Sequence, residues 1–555
     1  MIVLLCEELE RLGHGLDLAA VEEALAAEHA EVEIRRQAGP CEKAAAWLDP
    51  GLKAAGGLIL GLCSIDGGRH ELHARARRLG LDPFGIEVLD LGTFCALAHP
   101  RPQATTKAGL LLKAALAKAR AHQKSGPENT KPVLSWDQQV SRRALLTLPP
   151  LRYEAVPSIR QDACAAEEGC RVCAKACPRA ALTPSDDGRM VLKKASCTGC
   201  GACVSACPRG AFDFPGASLP EIEAQVAALL NGSTRDLRPR GILFTCRQNA
   251  ATLERFPRAG DTSAAEWFPV EVPCAGMVTP TWLLQCLDLG AAAVAVLTCG
   301  RETCRFGQPE VVRGRVEYAQ QALSMLGASP EGVRLLETAD PTELAGALAF
   351  VPASGSERRD GPSRPALFSP LGTAQTLLDL AGGQGAGLDR SFIHPHSPLG
   401  VVELRDGCTG CGACVHACPT GALALGRGQE GLALTFEARR CVGCGECAPA
   451  CPEGVLRVEK TTDLARLSRG KLTLYRDHEP RCLACGGPIA PQKMLEKIRT
   501  LLGDDRAVGV ITQYCLTCRG GHGALLCGRG DLRDWKGTTE MRRGNTGGQS
   551  RGERG

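Results

Sequence analysis

Cys408-Thr-Gly-Cys411-Gly-Ala-Cys414-Val-His-Ala-Cys418-Pro419, followed by Cys441-Val-Gly-Cys444-Gly-Glu-Cys447-Ala-Pro-Ala-Cys451-Pro452, decides how the rest of the chain is read. Each half spaces three cysteines two residues apart, then adds a fourth after three more residues and before a proline. With that spacing three sulfurs converge on one iron-sulfur cube, while the cysteine ahead of proline points elsewhere. Gly410, Gly412, Gly443 and Gly445 permit the backbone angles that such tight turns need. A zinc site and a disulfide framework are the alternatives, and neither has a use for an interlocked double repeat. The pattern implies one-electron chemistry.

In two-cluster ferredoxins the fourth cysteine ligates the opposite cluster. Residues 397–460 are therefore read as a two-cluster module, with Cys408, Cys411, Cys414 and Cys451 around one [4Fe-4S] cluster and Cys441, Cys444, Cys447 and Cys418 around the other. Residues 158–218 repeat the design. By the same crossing, Cys164, Cys170, Cys173 and Cys207 form one set and Cys197, Cys200, Cys203 and Cys177 the second. Five residues separate Cys164 from Cys170 where two are usual, so residues 165–169 are expected to bulge out.

The chain has 555 residues, of which 44% are hydrophobic and only 4% aromatic, enough for several ordinary cores. Half of its thirty cysteines fall in C-x2-C spacing, and residues 1–10 turn acidic where a secretory leader would be basic. Metal ligation in a reducing, cytoplasmic compartment is the expectation. The longest apolar stretch, around residues 290–298, is far short of a bilayer and reads as a buried strand. No membrane span is expected, and any membrane attachment would be peripheral, through a partner. A net charge of +4 does not point to nucleic acid. Residues 537–555 read as a disordered tail.

Two further segments alternate apolar strands with helices, which predicts small α/β layers on parallel sheets. In residues 1–122, strands are expected over 1–5, 32–34, 57–62 and 86–91, with Cys6, Cys63 and Cys95 at or beyond strand ends and Cys41 between elements. Spacing alone leaves scattered buried cysteines as an alternative. The words Leu4-Leu-Cys6, Ala38-Gly-Pro-Cys41, Leu60-Gly-Leu-Cys63-Ser and Leu91-Gly-Thr-Phe-Cys95-Ala-Leu-Ala-His99 resemble the N-terminal domain of the flavoprotein subunit of heterodisulfide reductase. That resemblance implies a [4Fe-4S] cluster on Cys6, Cys41, Cys63 and Cys95. His99 is expected to form a structural hydrogen bond instead of ligating.

In residues 238–350 the cysteines at strand ends are Cys246, Cys274, Cys299 and Cys304, whereas Cys286, on a helix with apolar neighbours, reads as core. Val272-Pro-Cys274-Ala-Gly-Met and Val296-Leu-Thr-Cys299-Gly-Arg-Glu-Thr-Cys304 resemble the delta subunit of methyl-viologen-reducing hydrogenase. The resemblance implies one [2Fe-2S] cluster on those four cysteines. The family's paired C-x2-C at the first strand is reduced here to Cys246-Arg-Gln-Asn249.

Residues 475–530 carry two knuckles, Cys482-Leu-Ala-Cys485 and Cys515-Leu-Thr-Cys518, on either side of an amphipathic helix. Four thiolates suit structural zinc; a rubredoxin-like iron, another cluster and free thiols are the alternatives, with His522 and Cys527 as spare ligands. No G-x-G-x-x-G turn follows a predicted strand, so no flavin is expected. No grouping of catalytic side chains is visible.

The fold class is therefore multidomain α/β plus α+β: two parallel-sheet domains alternating with two ferredoxin-like modules, then a zinc-ribbon-like knuckle domain. The expected cofactors are about five [4Fe-4S] clusters, one [2Fe-2S] cluster and one zinc. The function they imply is an electron-transfer subunit working with a hydrogenase, a formate dehydrogenase or a heterodisulfide-reductase-like partner. The alternative is an iron-sulfur reductase that acts on a disulfide or sulfur compound by itself.

Overall fold

Strand Ile2–Cys6 is buried along its whole length, as a strand covered on both faces must be, and it stands inside a four-stranded parallel sheet. The sheet is ordered Glu33–Gln37, Ile2–Cys6, Leu58–Leu62, Ile86–Asp90. Helices Leu18–Glu28, Arg69–Leu79 and Arg101–Ala121 connect and cover it, the first capped by the Asp17 carboxylate accepting from the Ala20 amide at 3.0 Å. A second parallel sheet has the same order: Glu266–Val272, Arg240–Cys246, Ala293–Leu297, Val333–Leu336. Helices Pro280–Asp288 and Pro309–Leu326 each begin with proline, whose missing N–H costs nothing at a helix start.

The structure, a computed structural model, describes residues 1–38, 41–64, 69–124, 126–134, 151–231, 239–246, 249, 252–253, 266–299, 304, 306–349, 368–428, 431–503 and 506–519. These residues form two compact units. One comprises Met1–Glu403, Ala413–Ala424 and Phe436–Leu472, the other Leu404–Gly412, Leu425–Thr435 and the chain from Thr473. The first holds both parallel sheets, the first ferredoxin module and most of the second. The second unit carries the four-cysteine knuckles, with helices Gln492–Leu502 and Arg506–Gln513 linked by Arg499 donating to Thr512 Oγ1 at 3.1 Å.

The structure departs from the sequence reading in three places. Residues 123–157, which Lys124-Ser-Gly-Pro127 and Pro149-Pro150 mark in the sequence as a linker, include an antiparallel pair, Thr130–Leu134 with Leu151–Ala155. Asn129 anchors it through its carbonyl to the Val156 amide at 2.8 Å and its side chain to Ser158 Oγ at 2.8 Å. Helix Leu219–Asn231 is an addition to the expected elements, although Leu219, Ile222, Val226, Leu229 and Leu230 share a buried face at helical spacing. Residues 165–169 fold as tight turns over buried Ala165 and Ala166, and only the tip from Glu167 to Gly169 is exposed. The tail 537–555, the polar run 352–366 that reads in the sequence as a linker, His522 and Cys527 lie outside the described residues.

Candidate metal centres

Both parallel sheets reverse their winding between the first and third strands in chain order, and ligands bind α/β sheets at that point, beyond the strand carboxyl ends. Cysteines occupy it twice. In the first sheet Cys6 ends one flanking strand and Cys63 follows the other; in the second, Cys246 ends one and Cys299 lies two residues beyond the other.

In the first domain the sulfurs of Cys6, Cys41 and Cys63 all lie within 4.8 Å of one another. Cys63 Sγ is 2.9 Å from Cys41 Sγ, which also accepts the Cys63 amide at 3.1 Å. The Cys41 thiol, hydrogen-bonded to Cys6, lowers the Cys6 pKa to about 6 against the opposing effect of burial. Cys95 is buried in the π-helical turn Gly92–Ala96 and stands outside this group of three. His99 Nε2 is 3.0 Å from Lys107 Nζ, and that ammonium, having no acceptor of its own, is the donor.

In the second domain Cys246 and Cys274 are buried at the sheet edge. Burial, with repulsion from Cys304 and Cys200, pushes the Cys274 thiol up to about 12. Cys304 Sγ accepts the Gly307 amide at 3.3 Å. Cys286 is fully buried on helix Pro280–Asp288 among apolar side chains, and desolvation alone raises its pKa.

The first ferredoxin module brings its cysteines within one another's electrostatic reach. Burial raises Cys173, and Cys207, Cys170 and Cys164 add like-charge repulsion. Burial also raises Cys200, with Cys197 and Cys177 adding to it, while Cys203 is driven well above its ordinary value by burial and by Cys200, Cys197, Cys173 and Cys177. The turns between these cysteines depend on glycine. Gly201 has φ +77°, and a Cβ there would stand 2.6 Å from Met277 Sδ. In the second module Gly443 has φ +59°, and a Cβ would meet the Leu399 carbonyl oxygen at 2.7 Å. Cys441 is raised by burial first, then by Cys444 and Cys418.

Within the first unit the two modules meet at one cysteine set each. Lys175 Nζ lies 2.9 Å from Glu446 Oε1 and donates to the Cys444 carbonyl at 3.4 Å, and Arg209 donates to the Pro419 carbonyl at 3.3 Å. Burial of Cys170, together with charge from Cys207, Cys444 and Glu446, raises its pKa to about 11, so the sets containing Cys170 and Cys444 lie within each other's field.

These residues suit iron-sulfur clusters. Burial raises these thiols, and ligation requires them as thiolates, so binding of a cationic centre would release their protons and relieve the charge repulsion among them. Backbone amides are already aimed at the sulfurs: Gly199 at Cys197 (3.4 Å), Ala181 at Cys177 (3.3 Å) and Ala211 at Cys207 (3.4 Å). Hydrogen bonds to ligand sulfurs of this kind are among the groups that set cluster potentials.

The second unit gathers Cys482, Cys485, Cys515 and Cys518 with all four sulfurs within 4.8 Å of one another, Cys485 Sγ and Cys515 Sγ being 3.6 Å apart. A tetrahedron of thiolates on zinc has edges of about 3.8 Å, given Zn–S bonds near 2.3 Å. The set fits. The Cys515 amide lowers Cys482 to about 6, so one thiol is already poised to ionise.

Comparison with known families agrees with this geometry over part of the chain. Residues 242–349 match the family model of the methyl-viologen-reducing hydrogenase delta subunit, and residues 164–212 and 407–455 each match a 4Fe-4S dicluster domain model. No curated protein gives a significant match. The protein is a multi-domain iron-sulfur chain of the electron-transfer kind, with mixed α/β domains on parallel sheets and ferredoxin-like [4Fe-4S] domains. Among the described residues no helix is long and apolar enough to cross a membrane.

Proposed function

We propose that this chain is the electron-relay subunit of a larger oxidoreductase complex, holding about five [4Fe-4S] clusters and one [2Fe-2S] cluster. Bound there, the clusters supply one-electron chemistry at potentials anywhere from roughly −700 to +450 mV, according to charge, hydrogen bonding and exposure. The chain's own residues hold the centres in sequence: the loop after Cys274 rests against the Cys200 turn, and Lys175 ties the Cys170 set to the Cys444 set. That continuity carries the reading. It would serve little purpose in a catalyst with one working centre.

The domain over residues 242–349 is the docking candidate, and its likeness to a hydrogenase subunit favours a hydrogenase, formate dehydrogenase or heterodisulfide-reductase-like partner in a reducing, cytoplasmic setting. We assign the [2Fe-2S] cluster to Cys246, Cys274, Cys299 and Cys304. Residues 1–122 are assigned the fifth [4Fe-4S] cluster, on Cys6, Cys41, Cys63 and Cys95. The second reading, a disulfide reductase, draws on one observation: three sulfurs meet in that domain without the fourth. Anaerobically purified chain, reduced with dithionite, should stay reduced when offered a disulfide and discharge only to its co-purifying partner. Turnover of disulfide by the chain alone would favour the reductase.

Zinc is assigned to Cys482, Cys485, Cys515 and Cys518. In a Cys485→Ser, Cys515→Ser chain, zinc should fall from about one atom per chain to near zero with iron unchanged, as read by mass spectrometry of the metals. Iron lost in place of zinc would instead mark a rubredoxin-like site.

A further inference from the structure

Helix Pro309–Leu326 presents Arg315, half-buried, to the loop 274–278. Its Nη1 donates to the carbonyls of Gly276 (2.7 Å) and Val278 (3.0 Å), and the guanidinium lies 5.9 Å from the centre of the Phe306 ring. The loop 274–278 that it grips begins at Cys274. On its other side Met277, fully buried, packs against Gly201, the residue after Cys200, so closely that a Cβ there would overlap it. Arg315 thus stands at the junction of two cysteine sets.

No carboxylate among the described residues acts on this cation; the opposite charges that reach it are Cys200 and Cys274, while burial draws its pKa down to about 10. Lys460 lies nearby, donating to the Ser397 carbonyl at 3.2 Å, with Arg315 repelling it and Cys444 attracting it. Desolvating a cation without an anion beside it is costly. Iron-bound thiolate centres are net anionic and gain one further negative charge on reduction, so they are the anions that make this burial tolerable.

We propose that Arg315, fastened to the 274–278 loop and set against the turn at Cys200, is a positive charge shared by two electron-carrying centres, and that it raises both reduction potentials together. The inference rests on the relay reading above. Each centre takes one electron from its donor with no bond made or broken, and the fixed cation favours the more negative product. Because one charge serves both centres, its removal shifts both potentials in the same direction.

EPR-monitored redox titration of the full chain tests this. Arg315→Met should make reduction of both the Cys274 and the Cys200 centres at least tenfold less favourable, a fall of 59 mV per tenfold for one electron. Arg315→Lys should restore most of the midpoint. Arg313→Met, on the exposed face where Arg313 pairs with Glu337 at 2.5 Å, should leave it unchanged. Where the Met variant does not accumulate, Arg315→Gln replaces it. Unchanged midpoints at full iron content, or a Lys variant displaced as far as the neutral one, would overturn the proposal and leave the relay reading standing. A wild-type chain without iron would overturn both.

Discussion

Cys203→Ser is expected to lose about four iron atoms per chain and to stop passing electrons beyond the first ferredoxin module. Cys203 sits in the most desolvated part of its set, among Cys197, Cys200 and Cys177, with Cys173 of the neighbouring set in range. A serine hydroxyl there is a far weaker acid and a poorer iron ligand, and burial gives it no water to compensate. Iron content and the amplitude of dithionite bleaching report the loss. Cys286→Ala is the control, because Cys286 packs among apolar side chains and its loss should leave the iron intact. Equal iron loss in the two variants would contradict the assignment.

His122 gives the second large effect. Its Nδ1 lies 2.6 Å from Glu221 Oε1 and its Nε2 3.1 Å from Asp82 Oδ2, so both ring nitrogens must donate and the imidazolium is the form that fits. The contact ties the first domain to helix Leu219–Asn231. Burial alone would lower its pKa, but the hydrogen bonds it donates to the Asp82 and Glu221 carboxylates raise it to about 9. A raised histidine contributes stability in full below its ordinary pKa of 6.5, and that contribution is lost as pH climbs through about 9. Its size is on the order of 3 kcal/mol. His122→Leu leaves Glu221 buried without this cation and should cost about 3–5 kcal/mol near neutral pH. In anaerobic unfolding, the gap between wild type and variant should close above about pH 9. A gap that stays constant with pH would mean that His122 is not the charged partner.

Much of this was legible in the sequence because its signals are local. C-x2-C runs with glycine between them fix both the sulfur spacing and the turn, and the glycines do adopt left-handed angles, Gly410 at φ +66° and Gly443 at +59°. Short apolar runs marked most strands of the first parallel sheet, and the central strand of the second, to within a few residues, since strands buried on both faces need continuous apolar sequence. Long-range pairing leaves no such mark. The shared strand order of the two sheets, which explains why Cys6 and Cys63, and then Cys246 and Cys299, stand at equivalent points, emerges only from the topology. Nothing near Arg315 distinguishes it from a surface cation, because the loop 274–278 that holds it comes from elsewhere in the chain. Cys95 shows the same limit: the π-helical turn Gly92–Ala96 that carries it leaves no periodic mark in the sequence.

The central claim is that the cysteine sets hold iron in a continuous series, and anaerobic metal analysis of the full chain tests it most directly. A brown protein carrying about 22 iron atoms per chain, from five four-iron centres and one two-iron centre, is the expected result. A colourless chain free of iron, folded and with its cysteines reduced, would contradict it.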